Sequence, residues 1–224
     1  MMPFAGGLEA TANGMLLFSV ASACVYFFLL DTPVSLRRSV VKTIPVALLA
    51  GLVLLHRGPL LLAGALALSA LGDAFLSRGQ GEKAFLGGLA SFLVAHLLYV
   101  ALFAHSGGGL GMLLTSPRLL FGIIIAIFAI VMLAVLWPRV EVTLRLPIAV
   151  YVAAILAMGL AALTLPDWRI ILGAMLFIAS DALLATEKFL LGARSTQRFW
   201  MRHAVWALYY AAQALIALGF LMAP

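Results

Sequence analysis

Eight long apolar runs separated by short links constrain this chain more than any other feature of its sequence. A hydrocarbon core about 30 Å thick requires roughly 20 apolar residues per helix. Of the 224 residues, 65% are hydrophobic and 10% are charged, whereas a soluble domain carries roughly 25% charged residues. The sequence therefore predicts an all-α polytopic membrane protein that forms a single integral membrane domain over 1–224. Breaks at charges, prolines and glycine clusters place the spans at about 11–30, 41–56, 59–77, 84–105, 117–137, 145–165, 168–189 and 202–222.

The basic residues are distributed unevenly between the two sets of links. The links after spans 1, 3, 5 and 7, with the adjoining helix ends, carry eleven of the 14 lysines and arginines. Because cytoplasmic loops are enriched in Lys and Arg, we expect these four links in the cytoplasm and both termini outside. The compact chain suggests a bacterial inner membrane. The net charge of +6 is then a consequence of topology and of contact with anionic lipids, and not a sign of nucleic-acid binding.

Two aspartates, Asp73 and Asp181, lie near the ends of spans 3 and 7, inside apolar runs. A carboxylate at such a position costs at least a few kcal/mol unless it is protonated, paired or hydrated, so intramembrane acids are candidates for function. Each follows a small residue, Gly72 or Ser180, and each lies about 8–10 Å inside the basic rim at 1.5 Å per residue. A close pair would leave one acid and one base at neutral pH. We predict that these two acids are catalytic, although hydrogen bonds between helices or a pairing lysine would also explain them.

The two halves of the chain follow a similar pattern. Spans 2 and 6 each open with a basic residue followed by a proline, in Lys42–Pro45 and Arg145–Pro147. Spans 3 and 7 carry the acids, and spans 4 and 8 carry polar aromatic residues. We therefore predict two four-helix repeats of the same orientation, about 1–110 and 111–224, related by an axis along the membrane normal. Such a repeat would place the two acids at equivalent positions.

Several further polar side chains are candidates for binding a substrate. Lys42 and Arg145 could hold the phosphate of a lipid head group, although snorkelling side chains that set the topology are the simpler explanation. Spans 4 and 8 each present polar and aromatic residues on one helical face, where packing would also account for the aromatic rings. Glu187, near the basic rim, is predicted to be solvated or to contact a lipid head group. The substrate-binding candidates are Lys42, His96, Tyr99, Arg145, Tyr151, Tyr209, Tyr210 and Gln213.

The chain lacks the sequence motifs of several enzyme classes. It contains no Walker motif, HExxH, GxSxG or GxGxxG, so ATP-driven work, zinc-dependent hydrolysis and α/β-hydrolase chemistry are unsupported. Its single cysteine, Cys24, excludes an intramolecular disulfide, and the sequence has no zinc-type Cys/His cluster. We expect neither a metal ion nor an organic cofactor.

Taken together, these elements resemble the YhhN-like lysoplasmalogenases, which are membrane enzymes with about eight spans. The resemblance rests on Gly72–Asp73, Phe92–Tyr99, Tyr151–Met158, Phe177–Ala185 and Tyr209–Gln213. It implies hydrolysis of the vinyl ether bond of a lysoplasmalogen, a lysophospholipid, to a fatty aldehyde and a glycerophospho-ethanolamine or -choline. One aspartate would protonate the β-carbon, and the other would stabilise the oxocarbenium ion and activate water. The sequence leaves open which aspartate takes which role.

Two other classes of function fit parts of the pattern. An intramembrane aspartyl protease also holds two acids in the bilayer, but that family pairs a YD motif with GxGD. Here neither acid follows a tyrosine, and position 70 is alanine. A proton-coupled transporter or lipid carrier would also use buried acids and repeats. Against it, both acids lie toward one face of the membrane, and no broken helix occurs at corresponding positions of the two halves.

Overall fold

A computed structural model describes residues 2–7, 10–78, 81–192 and 194–222, which form nine α-helices and one π-helical turn. Eight of these helices are long and apolar enough to cross a membrane, which confirms the predicted fold class. The short helix α5 is the exception, and predicted spans 5 to 8 correspond to α6 to α9. The helices are α1 Thr11–Leu29, α2 Leu36–Leu55, α3 Leu60–Ser77, α4 Glu82–Ser106, α5 Gly109–Leu113, α6 Ser116–Leu136, α7 Val142–Ala162, α8 Trp168–Ala185 and α9 Gln197–Leu221.

The observed helices differ from the predicted spans mainly at their ends. Helix α2 begins earlier than predicted, because the Ser35 side chain accepts a hydrogen bond from the Arg38 amide (3.2 Å) and caps the helix. Lys42 therefore lies well inside α2 and not at its opening. Helix α9 also begins earlier, at Gln197. A charged residue marks the edge of the hydrocarbon region, but a helix can continue beyond that edge into the aqueous phase.

Helix α8 begins at a capping carboxylate just outside the apolar span. Asp167 accepts a hydrogen bond from the Arg169 amide (2.8 Å), and it forms an ion pair with the Arg169 guanidinium (2.6 Å). The side-chain hydrogen bond from Arg169 is the main reason that the pKa of Asp167 lies below its ordinary value. This cap sets the start of the helix that carries Asp181.

The other end of α8 continues into a π-helical turn at Thr186–Leu190. Glu187 in this turn is only 8% exposed, so the prediction that it is solvated or contacts a lipid head group is wrong. Arg198 and Arg202, in the first turns of α9, lie 3.3 and 2.9 Å from its carboxylate and compensate its charge. These two ion pairs attach the π-helical turn to α9. Such turns often lie at functional sites.

Within each half, every helix packs on the next one in the chain, and further contacts join the two halves. Helices α1 to α4 each pack on the next, and α6 to α9 do the same. Between the halves, α4 packs against α7, and α9 packs against α2. The fourth helix of each half thus contacts the second helix of the other half. This is the packing that the proposed internal repeat would produce, and the repeat itself stays a prediction.

Helix α6 is the most exposed of the eight long helices. Its outward face consists of large apolar side chains, among them Ile123, Ile127 and Ile130. Lipid tails are as apolar as leucine, so a face of this kind can lie against lipid without a free-energy penalty. Helix α6 packs chiefly on α7, and it forms one outer wall of the bundle.

The small residues that precede the two acids allow neighbouring helices to approach closely. A Cβ atom at Gly72 would lie 2.6 Å from the ring of Phe92 on α4. The Ser180 hydroxyl donates a hydrogen bond to the carbonyl oxygen of Val205 on α9 (3.0 Å). Each acid therefore sits at a tight helix–helix contact, and the tightness depends on the residue before it.

We expect Gly72→Ala to destabilise the protein by about 1–3 kcal/mol, because the added methyl group must displace the Phe92 ring or separate α3 from α4. Thermal unfolding of the purified protein in detergent measures the effect. Gly14→Ala is a matched control, since a Cβ atom there meets nothing within 4 Å. Alanine is the better helix former, so this control is expected to keep or raise the Tm. Equal Tm values for Gly72→Ala and wild type would contradict the close contact.

Candidate functional site

Asp73 on α3 is bound by side chains from two neighbouring helices. Its Oδ1 lies 3.1 Å from Lys42 Nζ on α2, and the Tyr209 hydroxyl on α9 donates a hydrogen bond to its Oδ2 (2.7 Å). The Asp73 side chain is 2% exposed and the Lys42 side chain 15%. Burial of these two opposite charges costs hydration free energy, and the attraction between Lys42 and Asp73 offsets part of that cost. Asp73 is therefore an enclosed, ion-paired carboxylate.

Asp181 on α8 has a different set of partners. The Tyr151 hydroxyl on α7 donates a hydrogen bond to Asp181 Oδ2 (2.9 Å), and His96 Nε2 on α4 lies 3.6 Å from the same oxygen. His96 Nδ1 lies 2.6 Å from the carbonyl oxygen of Phe92. Because a carbonyl can only accept, Nδ1 carries a proton. For His96 Nε2 and Asp181 to bond directly, one of the two must therefore hold a further proton.

The two acids also differ in counter-charge and in access. Within the ranges that the structure describes, no lysine or arginine lies within 4.0 Å of Asp181, whereas Asp73 is paired with Lys42. The Asp181 side chain is 11% exposed, and it lines a groove between α4, α6, α7 and α8. Asp73 is not among the residues that line this groove. Asp181 is therefore the acid that a molecule in the groove can reach.

This groove, called the lateral groove below, is almost entirely apolar. The empty space in and over this groove, open solvent included, amounts to about 890 Å³. Among the described residues that line it, the only polar side chains are Tyr151, Asp181 and Lys188. Representative apolar lining residues are Phe92, Ile125, Phe128, Met132, Leu136 and Ile155.

Two phenylalanine rings lie between the acid clusters. The centroid of the Phe177 ring is 5.5 Å from the Tyr209 ring and 4.7 Å from the His96 ring. The Phe92 ring is 5.7 Å from Tyr209. Among the described residues, the only hydrogen-bonding and ionic partners of the two carboxylates are those named above. The acids thus form two clusters separated by an aromatic layer, and not one hydrogen-bonded dyad.

The partners of the two acids nevertheless come from corresponding helices. Each acid is bound by a residue from the second helix of its own half, Lys42 or Tyr151. Each is also contacted by a residue from the fourth helix of the other half, Tyr209 or His96. Four of the eight predicted substrate-binding residues therefore surround the acids. The remaining four lie elsewhere.

Tyr99 and Gln213 form a pair in the core, next to the aromatic layer. The Tyr99 hydroxyl donates a hydrogen bond to Gln213 Oε1 (2.5 Å), and both side chains are fully buried. The Tyr99 ring lies 6.3 Å from Phe177. This pair joins α4 to α9, and neither residue lines the lateral groove.

Tyr210 and Arg145 lie away from both acids. Tyr210 is hydrogen-bonded to Ser19 (2.9 Å), whose hydroxyl is 2.7 Å from the carbonyl oxygen of Pro45. These contacts connect α9 to α1 and α2. Arg145 donates a hydrogen bond to the carbonyl oxygen of Val140 (3.3 Å), and its guanidinium lies over the Trp137 ring. Substrate binding by these two residues stays a prediction.

Two residues of the site were not singled out from the sequence. Phe177 lies between the clusters, and Lys188 lines the lateral groove. Lys188 is one of the basic residues that follow span 7, where it marks the edge of the membrane, and the structure places it in the same groove as Asp181. In the part of the chain that the structure describes, no group of three or more His, Cys, Asp or Glu side chains is placed to hold a metal ion.

The fold and the two buried acids define a polytopic membrane protein with titratable groups beside an apolar groove. The model of the YhhN family matches residues 37–220. The chain is 37% identical to the lysoplasmalogenase TMEM86B of Homo sapiens, over 92% of this chain and 85% of that protein. It is 31% identical to the lysoplasmalogenase TMEM86A of Bos taurus, over 88% of this chain and 85% of that protein.

A lysoplasmalogenase of Mycobacterium tuberculosis is 33% identical, over 70% of this chain and 58% of that protein. No solved structure matches this one. The family match and these identities show that the chain belongs to the YhhN family, which confirms the resemblance found in the sequence.

Proposed function

We propose that this protein is a lysoplasmalogenase that hydrolyses the vinyl ether bond of a lysoplasmalogen. The products are a fatty aldehyde and a glycerophospho-ethanolamine or -choline. The observation that carries the proposal is the position of Asp181, which lies in the wall of the lateral groove with Tyr151 and His96 beside it. The relatives named lysoplasmalogenases, which align over most of the chain, support the same function.

The lateral groove suits a lipid with a single hydrocarbon chain. Apart from its three polar side chains it is lined by aliphatic and aromatic residues, which favour burial of an alkyl chain. Its outer wall includes α6, whose opposite face is exposed and apolar. We infer that the lipid enters sideways from the membrane and places its vinyl ether beside Asp181.

The chemistry requires a proton donor and a way to stabilise a cation. Protonated Asp181 transfers its proton to the β-carbon of the vinyl ether, and the α-carbon and ether oxygen become an oxocarbenium ion. The Asp181 carboxylate then stabilises this cation and accepts a proton from the water that adds to the α-carbon. The resulting hemiacetal collapses to the aldehyde and the glycerol hydroxyl. Tyr151 holds Asp181 Oδ2 in place, and His96 is placed to exchange a proton with it.

In this proposal Asp73 is a positioning residue. It lies behind the aromatic layer and outside the lateral groove, paired with Lys42. Its hydrogen bond orients Tyr209, whose ring packs against Phe92 and Phe177. The Phe177 ring in turn packs against the His96 ring, which lies beside Asp181. A substitution at Asp73 would therefore affect the substrate indirectly, by moving Tyr209 and the two phenylalanine rings that pack against it.

The end of the lateral groove at Lys188 adjoins the basic link before α9. If the four basic links are cytoplasmic, as the distribution of charge predicts, this end opens toward the cytoplasm. The substrate then enters from the cytoplasmic leaflet, and the glycerophospho product leaves into the cytoplasm. The bacterial inner membrane remains the expected location.

The proposal predicts that purified protein in detergent releases aldehyde from a lysoplasmalogen, with one glycerophospho product per aldehyde. The matched control is the lysophospholipid with a saturated alkyl ether, which has no double bond to protonate and is expected to stay intact. In deuterated water one deuterium is expected on the carbon next to the aldehyde. Gas chromatography with mass spectrometry measures both results.

A folded protein that releases no aldehyde would overturn the assignment. Cleavage of a membrane peptide by the same preparation would indicate the aspartyl protease. Lipid or proton flux in liposomes without hydrolysis would indicate the transporter.

A further inference from the structure

Of the residues that the structure describes, Lys188 is the only cation that lines the lateral groove, at the end nearest the basic link. Its Nζ lies 4.0 Å from the centroid of the Phe85 ring and 6.0 Å from that of Phe189. A lysine ammonium over an aromatic face is held there by the ring quadrupole. Among the residues that the structure describes, no carboxylate lies within ion-pair distance of Lys188. The ammonium is therefore held in place while its charge remains available to a ligand.

The carboxylate next to Lys188 in the sequence, Glu187, is paired with other residues. Glu187 points into the interface with α9, where Arg198 and Arg202 bind it. Lys188, the next residue, points into the lateral groove and is exposed. Glu187 and Lys188, although adjacent in sequence, thus project from the turn in different directions.

The position of Lys188 relative to Asp181 matches the length of a glycerophospholipid head. Asp181 and Lys188 are seven residues apart, about 10 Å at the rise of an α-helix, and both line the lateral groove. In a single-chain phospholipid the ether carbon and the phosphorus are separated by the glycerol carbons and two oxygens. With the reach of the two side chains, an extended lipid head spans this interval, and its alkyl chain occupies the apolar part of the groove.

The two cations predicted from the sequence to bind phosphate are engaged elsewhere. Lys42 is paired with Asp73, and Arg145 is bound to the carbonyl oxygen of Val140. Neither residue lines the lateral groove. Of the three basic residues, only Lys188 is both unneutralised and on the path of a bound lipid.

We propose that Lys188 binds the phosphate of the lipid head group and thereby holds the lipid in the lateral groove. This inference rests on the proposed function for the identity of the bond that is cleaved. The ligand is a phosphodiester with one hydrocarbon chain. The ammonium supplies a point charge and donors to the phosphate oxygens, and a hydrogen bond of this kind to a charged group is stronger than one between neutral groups.

The test compares two substrates that share the vinyl ether and the chain. One is a lysoplasmalogen, and the other is the corresponding 1-alkenylglycerol, which has no phosphate. In Lys188→Gln the KM for the lysoplasmalogen is expected to rise about tenfold or more, with kcat little changed. The KM for the alkenylglycerol is expected to stay at the wild-type value, and Lys188→Arg is expected to retain most of the affinity.

Lys83→Gln is the matched control, because Lys83 is an exposed lysine on the same rim that does not line the lateral groove. It removes one charge from the membrane surface without touching the proposed site, so both KM values are expected to stay at wild type. Equal KM changes for the two substrates in Lys188→Gln would show that the lysine only shapes the groove. That result would overturn the proposal, and so would wild-type KM values for both substrates in Lys188→Gln.

A binding measurement tests the site independently of hydrolysis. The saturated alkyl lysophospholipid is expected to bind wild type about tenfold more tightly than Lys188→Gln, whereas the saturated alkylglycerol is expected to bind both equally. If wild type cleaves neither vinyl ether but shows this difference, the proposed function fails and the head-group site stands. Inorganic phosphate is the third probe. Suppose that phosphate changes the turnover of alkenylglycerol in wild type but not in Lys188→Gln, and that Lys188→Gln binds the alkyl lysophospholipid as tightly as wild type does. This combination would identify a site for free phosphate and overturn the head-group assignment.

Discussion

Replacing Asp181 with asparagine is expected to lower kcat for aldehyde release by about 10²–10⁴-fold. Asparagine has the same shape and can still accept the hydrogen bond from Tyr151, but it cannot transfer a proton to the vinyl ether. The substitution strands no charge, because no lysine or arginine among the described residues is paired with Asp181. Aldehyde release at saturating substrate measures the effect, and the Tm in detergent shows whether the fold is intact.

Tyr151→Phe is the matched comparison in the same cluster. It removes one hydrogen bond to Asp181 Oδ2 and leaves the carboxyl group in place. A hydrogen bond of about 1 kcal/mol corresponds to roughly a fivefold decrease in kcat. If Asp181→Asn retained as much activity as Tyr151→Phe, Asp181 would not be the proton donor, and Asp73 would be the next candidate.

Replacing Lys42 with methionine is expected to destabilise the protein by about 3–5 kcal/mol, because it leaves the Asp73 carboxylate buried without its counter-ion. Only the hydrogen bond from Tyr209 would remain at an acid that is 2% exposed. Methionine keeps most of the volume and apolar character of the lysine stem, so the lost charge dominates the effect. Chemical unfolding in detergent, followed by near-ultraviolet circular dichroism, measures it.

The double variant Lys42→Met/Asp73→Asn separates the ion pair from other effects of the substitution. Removing both charges is expected to restore most of the lost stability, because no unpaired charge is then buried. Lys83→Met, on the exposed rim, is expected to change the free energy of unfolding by less than about 0.5 kcal/mol. Wild-type stability in Lys42→Met alone would show that the ion pair does not determine the stability of this part of the fold.

The same double variant tests the role of Asp73 in the reaction. As a positioning residue, Asp73 acts through Tyr209 and the aromatic layer, and an asparagine can still accept the hydrogen bond from Tyr209. The stable double variant is therefore expected to retain measurable aldehyde release. Complete loss of activity in a protein of wild-type Tm would show instead that the Asp73 carboxylate acts on the substrate directly.

Much of the architecture could be predicted from the sequence, because the membrane imposes simple requirements on a chain. Each crossing needs a long apolar helix, so the eight spans follow from the spacing of charges and prolines. An acid inside such a run is costly, so Asp73 and Asp181 stood out without any structural information. The helix ends were less accurate, because the cap at Ser35 extends α2 beyond the point where the charges begin. The burial of Glu187 was missed, because its partners lie on the next helix.

Only the tertiary structure decided how the two acids differ. Asp73 and Tyr209 are 136 positions apart in the chain, and their contact depends on how α3 and α9 are rotated against each other. Local pattern shows which face of a helix is polar, but it does not specify which neighbour that face meets. The packing of α2 on α3 pairs Asp73 with Lys42 and buries the Asp73 carboxylate. The packing of α4, α6, α7 and α8 leaves Asp181 beside an apolar groove, where no lysine or arginine among the described residues lies within 4.0 Å of it.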